Sequence, residues 1–394
     1  MKTDSHQVAG NQIMLLRNGT EYFPQLCADI DAAKQSIYLE TYIFAADETG
    51  RLVSDALRRA TVRGVRVHVV LDGYGSAELP QQWVDDLRGA GVGVQWFRRD
   101  ISPFTMRRNR HRRLRRLHRK MAVIDGEVAF VGGINIINDI PKHSDLLSPQ
   151  LDYAVRVQGS VAGEINATMQ HLWGVVSWVN FRHRGKKIIW SDLTAKRHST
   201  TPEITLVLRD NVRHRREIER AYLKAMSGAH YEIIIANAYF LPGRVFRRTL
   251  IHAAKRGVRV VLLLQGKVEY WIQHYATHAL YSQLMAAGIE IYEYQASYLH
   301  AKVAVVDGQW ATVGSSNIDP YSLLLAREAN LVIRDAGFAV ELRKSLLDAI
   351  AKNAVRIGDE YGAPQNVVAR LIAYLSYGFV RLLIGISGYR KRGP

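Results

Sequence analysis

Residues 117–126 read L-H-R-K-M-A-V-I-D-G, and residues 299–308 read L-H-A-K-V-A-V-V-D-G. Both fit L-H-x-K-x-A-V-x-D-G. Each copy reaches a small-residue cluster at the same distance: Gly132, Gly133 and Asn135 after the first, Gly314, Ser315 and Asn317 after the second. A His, Lys, Asp and Asn set that recurs in register is the inventory a symmetric phosphate-handling site needs. Read as a strand, each phrase puts its His and Lys two residues apart, on one face. Asp125 lies at odd spacing from His118, beside the turn at Gly126. It is expected to prop the site rather than touch substrate. His300, Lys302 and Asp307 repeat the arrangement.

The duplication extends outward from these phrases. Residues 37–44 (IYLETYIF) match 233–240 (IIIANAYF), 63–73 (RGVRVHVVLDG) match 256–266 (RGVRVVLLLQG), and 90–97 (AGVGVQWF) match 287–294 (AGIEIYEY). Strand-like and helix-like stretches alternate within each copy. Uninterrupted apolar strands such as VVLLL imply burial on both faces, hence a sheet between helices. The expected fold class is α/β: two lobes related by a pseudo-twofold, each a mixed, mostly parallel sheet flanked by helices. The expected boundaries are a first lobe over 1–185, a polar linker over 186–202, a second lobe over 203–360 and an apolar, basic tail over 361–394.

The copies differ in one place. From Gly91 to His118 is 27 residues, and from Gly288 to His300 is 12. The surplus is an arginine-rich insertion over 98–117; residues 98–120 hold ten arginines and one acid. It runs directly into His118, so it reads as a phosphate-seeking loop, with a solvated basic loop as the plainer alternative.

The bulk composition agrees with a folded protein and an anionic partner. The chain has 394 residues, 48% hydrophobic and 23% charged, with a formal net charge of +17. That charge points to nucleic acid or an anionic membrane surface. A single cysteine, Cys27, excludes an internal disulfide and a cysteine-based metal cluster. Residues 1–18 show neither a long apolar run nor a signal-type cleavage site.

Set face to face, the two copies bring together two imidazoles, two ammoniums and two amides. Lys120, Lys302, Asn135 and Asn317 suit the oxygens of a phosphodiester and its more charged transition state. One imidazole attacks phosphorus and the other, protonated, donates to the leaving oxygen. A carboxylate on the far ring nitrogen fixes the tautomer and supports the cation. Asp152 and Glu328, which open later strands 34 and 28 residues after His118 and His300, are the candidates, each for the histidine of its own copy. Neither copy shows a metal-ligand spacing, and each His has a Lys two residues away, so no metal or other cofactor is expected.

The doubled H-x-K-x4-D, each followed by G-[GS]-x-N, resembles the phospholipase D superfamily over residues 15–353. That resemblance implies two similar α/β lobes with one shared metal-independent site working through a phosphohistidine. It implies His118 as nucleophile and His300 as general acid. The phrases YIFAADETG (42–50), AYFLPG (238–243) and GSSNIDPYSLLLAREANL (314–331) resemble the bacterial cardiolipin synthase branch, and within it the shorter form without N-terminal membrane-spanning helices. The reaction implied is phosphatidyl transfer between two phosphatidylglycerols, giving cardiolipin and glycerol. After Asn135 the first copy reads IINDI where the second reads IDPYS, which leaves the donor and acceptor sides unassigned.

A lipid substrate requires membrane contact. Residues 371–389 (LIAYLSYGFVRLLIGISGY) are long enough to span, but Arg381 sits mid-way, at a cost of about 2.5–3.5 kcal/mol on insertion scales. An interfacial helix is favoured over a spanning or an ordinary packed one. The expected location is the cell membrane, peripheral or monotopic, on the cytoplasmic face. Alternatives are a lipid hydrolase or nuclease of the same superfamily, and a non-catalytic membrane scaffold. The basic stretch lacks interleaved aromatics for base stacking, so no nucleic-acid partner is expected.

Overall fold

The computed structural model describes residues 4–99, 116–140, 148–182, 203–210, 214–267, 276–319 and 326–358. The expected linker and tail, and residues 100–115 of the arginine-rich insertion, lie outside the described residues.

Each repeated phrase builds a hairpin. Lys120–Ile124 forms β6 and Val128–Gly132 forms β7; Lys302–Val306 and Trp310–Gly314 form β13 and β14. The turns place Asp125 and Asp307 at φ of 52° and 53°. That left-handed conformation is one an Asp tolerates through local hydrogen bonding. The Asp125 carboxylate accepts the N–H groups of Lys34, Gln35 and Ser36 at 2.7–2.9 Å. Asp307 accepts those of His230, Tyr231 and Glu232, each at 2.8 Å. Burial alone would raise the Asp307 pKa, but these three donors outweigh it and hold it below the usual carboxylate value. The third motif residue therefore fastens the hairpin to the start of the neighbouring strand.

That neighbour is β3 (Ser36–Thr41) in the first lobe and β10 (Glu232–Asn237) in the second. With β1 (Ser5–Val8), β2 (Asn11–Arg17), β4 (Arg66–Asp72), β5 (Gly93–Phe97) and β8 (Tyr153–Gln158), the first sheet has eight strands in the order β1-β2-β8-β7-β6-β3-β4-β5. The second sheet adds β9 (Ile204–Arg209), β11 (Arg259–Gln265), β12 (Glu290–Tyr294), β15 (Glu328–Ile333) and β16 (Ala354–Arg356), in the order β16-β12-β11-β10-β13-β14-β15-β9. The two orders superpose strand for strand, apart from one extra edge strand on opposite sides.

The sheets are mixed, as expected, but not mostly parallel. Among the described strands only β3–β4 and β4–β5, and their counterparts β10–β11 and β11–β12, run parallel. All other pairings are antiparallel. Tight hairpins can only pair antiparallel. The uninterrupted apolar strands report two-sided burial, which here is supplied partly by the other sheet rather than by crossover helices on both faces.

Period-two alternation divides the core into layers. Met121 and Val123 of β6 face inward, with Val303 and Val305 of β13, into one apolar cluster shared by both lobes. The helix Ser160–Arg182 adds Val161, Ile165 and Met169 to it, and the helix Ala336–Asn353 adds Phe338, Leu342 and Leu346. Ala122 and Ile124 face outward, into a cluster closed by the helices Asn18–Ala32, Glu48–Val62 and Gln81–Gly89. Ala304 and Val306 do the same in the second lobe. Each fully buried Val, Leu or Ile in the shared layer contributes about 1.5–3 kcal/mol, so the lobes are fixed against each other. Polar ties add to this: Arg17 Nη2 and His6 Nε2 both reach Glu341, at 2.5 and 2.8 Å. The repeated Arg-Gly-Val phrase has a local cause: Gly64 and Gly257, at φ of 85° and 90°, end a helix where the chain must turn sharply into β4 or β11.

Candidate active site

Both histidines sit just ahead of a hairpin strand, beside the C-terminal ends of the parallel strands, where α/β sheets place ligands. Each is stitched to the opposite lobe. Leu117 bridges Arg327 in parallel, with His118 N–H donating to the Arg327 carbonyl at 3.0 Å and Arg327 N–H to the Arg116 carbonyl at 2.7 Å. Leu299 bridges Leu151 likewise; His300 N–H donates to the Leu151 carbonyl, and Leu151 N–H to the Tyr298 carbonyl, both at 2.9 Å.

These stitches decide the carboxylate partners. His118 Nδ1 lies 3.1 Å from Glu328 Oε2, and His300 Nδ1 lies 2.6 Å from Asp152 Oδ2. The own-copy pairing read from the sequence is thus corrected: each imidazole takes the carboxylate of the other lobe. The reason is topological. Arg327 and Leu151 immediately precede Glu328 and Asp152, and both are bridged to the segment preceding the opposite histidine. His118 Nδ1 also lies 3.2 Å from the Ser315 carbonyl oxygen. Both neighbours are acceptors, so the ring proton belongs on Nδ1 and the lone pair on Nε2.

The small-residue clusters make room for these carboxylates. A side chain at Gly133 would run into the Asp152 carboxylate. At the matching position Ser315 donates its Oγ–H to Glu328 Oε2 at 2.6 Å. Glu328 is wholly buried, which pushes its pKa up, yet His118, Lys120 and Ser315 together leave it below the usual carboxylate value. It is held as an anion.

The lysines fold back on their own motifs. Lys120 Nζ donates to the His118 carbonyl at 2.9 Å, and Lys302 Nζ to the His300 carbonyl. Burial, and after it the charge of Lys302, pulls Lys120 down to about 7 against the attraction of Glu328. Burial, then Lys302, pulls His300 down to about 4 against Asp152. His118 is lowered too, by burial first and then by Lys120 and Lys302. Each histidine responds to the lysine of the other lobe, so both copies form one electrostatic unit. Burial and the two lysines hold both imidazoles towards their neutral form.

The asparagines differ. Asn135 Oδ1 accepts Ile43 N–H at 3.2 Å, which leaves its NH2 as the group available to donate. Asn317 is buried, and among the described residues its Oδ1 accepts no hydrogen bond. The divergent IINDI segment has a structural use. Asn138 Oδ1 accepts the N–H and Oγ–H of Thr49, and Asp139 Oδ2 accepts Gly19 N–H at 2.5 Å, which locks the segment to two helix starts.

Four features near the site escaped the sequence reading. Asp72 Oδ2 accepts Leu117 N–H at 2.8 Å, and at the matching position Gln265 Oε1 accepts Leu299 N–H at 2.7 Å. Each lobe thus holds the residue before its histidine from the end of its second parallel strand; the signal was the aligned VVLDG and LLLQG. Tyr42 packs edge-on against His118 at 4.8 Å, and Lys120 Nζ lies 5.2 Å from the centre of its ring. Finally, Glu40 and Arg119 are both buried, with Arg119 Nη1 3.7 Å from Glu40 Oε2. Burial raises Glu40 to about 7 although Arg119 and Arg327 oppose it. A Glu following the apolar run over 37–39 in β3 was the available signal.

A family model described as "Cardiolipin synthase, PLD-like domain" matches residues 26–173 and 222–349, once for each lobe. Cardiolipin synthase B of Escherichia coli is 38% identical over 387 residues, covering 96% of this chain and 90% of that protein. The major cardiolipin synthase of Bacillus subtilis is 29% identical over 333 residues, covering 84% and 67%. The crystal structure of phosphatidylserine synthase from Haemophilus influenzae superposes with a TM-score of 0.68 at 14% identity, covering 95% of this chain and 94% of that one, which shows the fold. The fold and doubled motif are those of phospholipase D-like proteins. The chain belongs to the cardiolipin synthase family of that class.

Proposed function

We propose that the protein is a phosphatidyltransferase that makes cardiolipin: the phosphatidyl group of one phosphatidylglycerol passes to the terminal hydroxyl of a second, and glycerol leaves. The observation that carries this is the crossed pair of His–carboxylate contacts around two lysines, one half from each motif copy.

The donor phosphodiester lies between the imidazoles, its oxygens met by Lys120 and Lys302 and by the amides of Asn135 and Asn317. Its negative charge offsets the lysines and raises the histidine pKa values from their depressed resting level. His118 Nε2 attacks phosphorus, and Glu328 takes up the charge that develops on the ring. His300, protonated and backed by Asp152, donates its Nε2 proton to the departing glycerol oxygen. Phosphohistidine remains. In the second half, neutral His300 accepts the acceptor's hydroxyl proton as that oxygen displaces His118. Asp125 and Asp307 hold the hairpins and take no part in proton transfer. The positive charge the transition state needs comes from the two lysines, so the cycle runs without a metal.

The substrate is a phospholipid, so the protein works at a membrane surface. A net charge of +17 suits anionic headgroups. No helix among the described residues is long and apolar enough to cross a membrane. We place the protein on the cytoplasmic face of the cell membrane, peripheral or monotopic, with the tail over 361–394 and the insertion as contacts. The test incubates purified protein with phosphatidylglycerol in detergent and chelator and follows lipid products by mass. Cardiolipin and glycerol, both absent with His118→Ala, are expected. Phosphatidic acid alone makes the protein a hydrolase, and no lipid turnover refutes the reading.

A further inference from the structure

The two lobes repeat His, Lys, Asp, Asn and an opposing carboxylate, but not the residue two positions before each histidine. That residue is Arg116 in the first lobe and Tyr298 in the second. Both segments are extended, each bonded through its backbone to the opposite lobe. Residues two apart on an extended chain share a face, so Arg116, His118 and Lys120 line one side, while Leu117 and Arg119 point away into the protein.

Arg116 is fixed in place by a ring and an ion pair, with no hydrogen bond from its guanidinium among the described residues. Its guanidinium lies over the ring of Tyr74, 5.1 Å from the centroid, and Tyr74 is 59% exposed. Its Nη1 is 3.9 Å from Asp72 Oδ1, too far for a hydrogen bond. Asp72 is already committed: Oδ1 accepts the N–H groups of Tyr74 and Gly75, and Oδ2 accepts Leu117 N–H. Among the described residues the Arg116 guanidinium makes no hydrogen bond, and buried Nη1 has only its ion pair with Asp72.

We infer that Arg116 is the anion subsite for the acceptor lipid: it holds the phosphodiester that the second phosphatidylglycerol carries one glycerol away from its attacking hydroxyl. The inference rests on the phosphatidyltransferase reading and assigns the acceptor to the first-lobe side. The distance is suitable. Two residues of extended chain separate Arg116 from His118, about 6.6 Å, the scale of a glycerol bridge between two phosphates. Arg is also the side chain best shaped to grip a phosphate with two parallel bonds. In the step served, the acceptor's hydroxyl oxygen bonds phosphorus. The P–Nε2 bond to His118 breaks with its electron pair returning to the ring, and the hydroxyl proton passes to His300. Water or free glycerol completes the same step but carries no phosphate for Arg116 to hold. Arg116 therefore selects among acceptors. The second lobe, with Tyr298, offers no cation at the matching place.

The test gives the full-length protein phosphatidylglycerol in detergent micelles together with isotope-labelled glycerol. Two products are counted: cardiolipin, from the anionic acceptor, and labelled phosphatidylglycerol, from the uncharged one. Loss of one charge-assisted phosphate contact predicts that Arg116→Gln lowers the ratio of cardiolipin to labelled phosphatidylglycerol about tenfold. Arg116→Lys, which keeps the charge, recovers most of that ratio. An unchanged ratio in Arg116→Gln, or a parallel fall of both products, overturns the inference. Wild-type protein that forms neither product overturns the transferase reading beneath it.

Discussion

Replacing Asp152 by Asn tests the crossed wiring of the site directly. Asp152 Oδ2 lies 2.6 Å from His300 Nδ1 and belongs to the lobe that carries His118, not His300. The carboxylate supports His300 when its ring is charged, as it must be when it protonates the leaving glycerol. A hydrogen bond to a charged group contributes about 1.5–3 kcal/mol. An asparagine keeps the shape but loses the charge, so cardiolipin formation should fall by roughly ten- to hundredfold. The assay is the initial rate at saturating phosphatidylglycerol, beside a nitrogen-15 spectrum of the histidine rings. The spectrum should report a changed environment at His300 with His118 little altered; Glu328→Gln should give the reverse pattern. An unaltered rate, or a spectral change confined to His118 in Asp152→Asn, would be incompatible with the crossed pairing.

Other consequences concern pH and folding. Lys120, pulled down to about 7, loses its proton as pH rises through that value and with it part of its grip on the donor phosphate. Accordingly kcat/KM should fall above neutrality, by up to about tenfold per pH unit for a single essential proton; a flat profile from pH 6.5 to 9 contradicts this. His300 has a folded pKa of about 4 against an unfolded value of about 6.5. The unfolded chain binds the extra proton between those limits, so stability present above pH 6.5 is lost as pH falls towards 4, by about 3 kcal/mol. Denaturant titrations of His300→Gln should show a shallower loss over that window. Asp125→Ala leaves three backbone N–H groups without their acceptor; because water reaches them, the cost should be about 1–2 kcal/mol in unfolding free energy, with KM nearly unchanged.

The sequence made some of this plain and hid the rest for physical reasons. His118, Lys120 and Asp125 were legible because His300, Lys302 and Asp307 repeat them at identical spacing, and a register that survives duplication reports a shared site. The position of Asp125 beside a turn pointed to propping, and its three bonds to backbone N–H groups agree with that reading. The carboxylates were legible as residue types, but their partners were not, since nothing local to Asp152 says that Leu151 bridges Leu299 across the lobe boundary. Strand direction was misread because a run such as VVLLL encodes burial on two faces and is silent on what covers each. Asp72 and Gln265 stayed hidden because they are different residue types doing one job. Only the fold shows that both receive the N–H preceding a histidine.

In the proposed cycle phosphorus is carried on His118 between two lipids. The most direct measurement mixes the protein with phosphatidylglycerol, quenches it during turnover under conditions that preserve phosphohistidine, and maps the adduct by peptide mass. A phosphatidyl group is expected on His118, absent in His118→Ala and consumed when fresh acceptor is added. An adduct on any other residue, or turnover with no adduct at all, would contradict it.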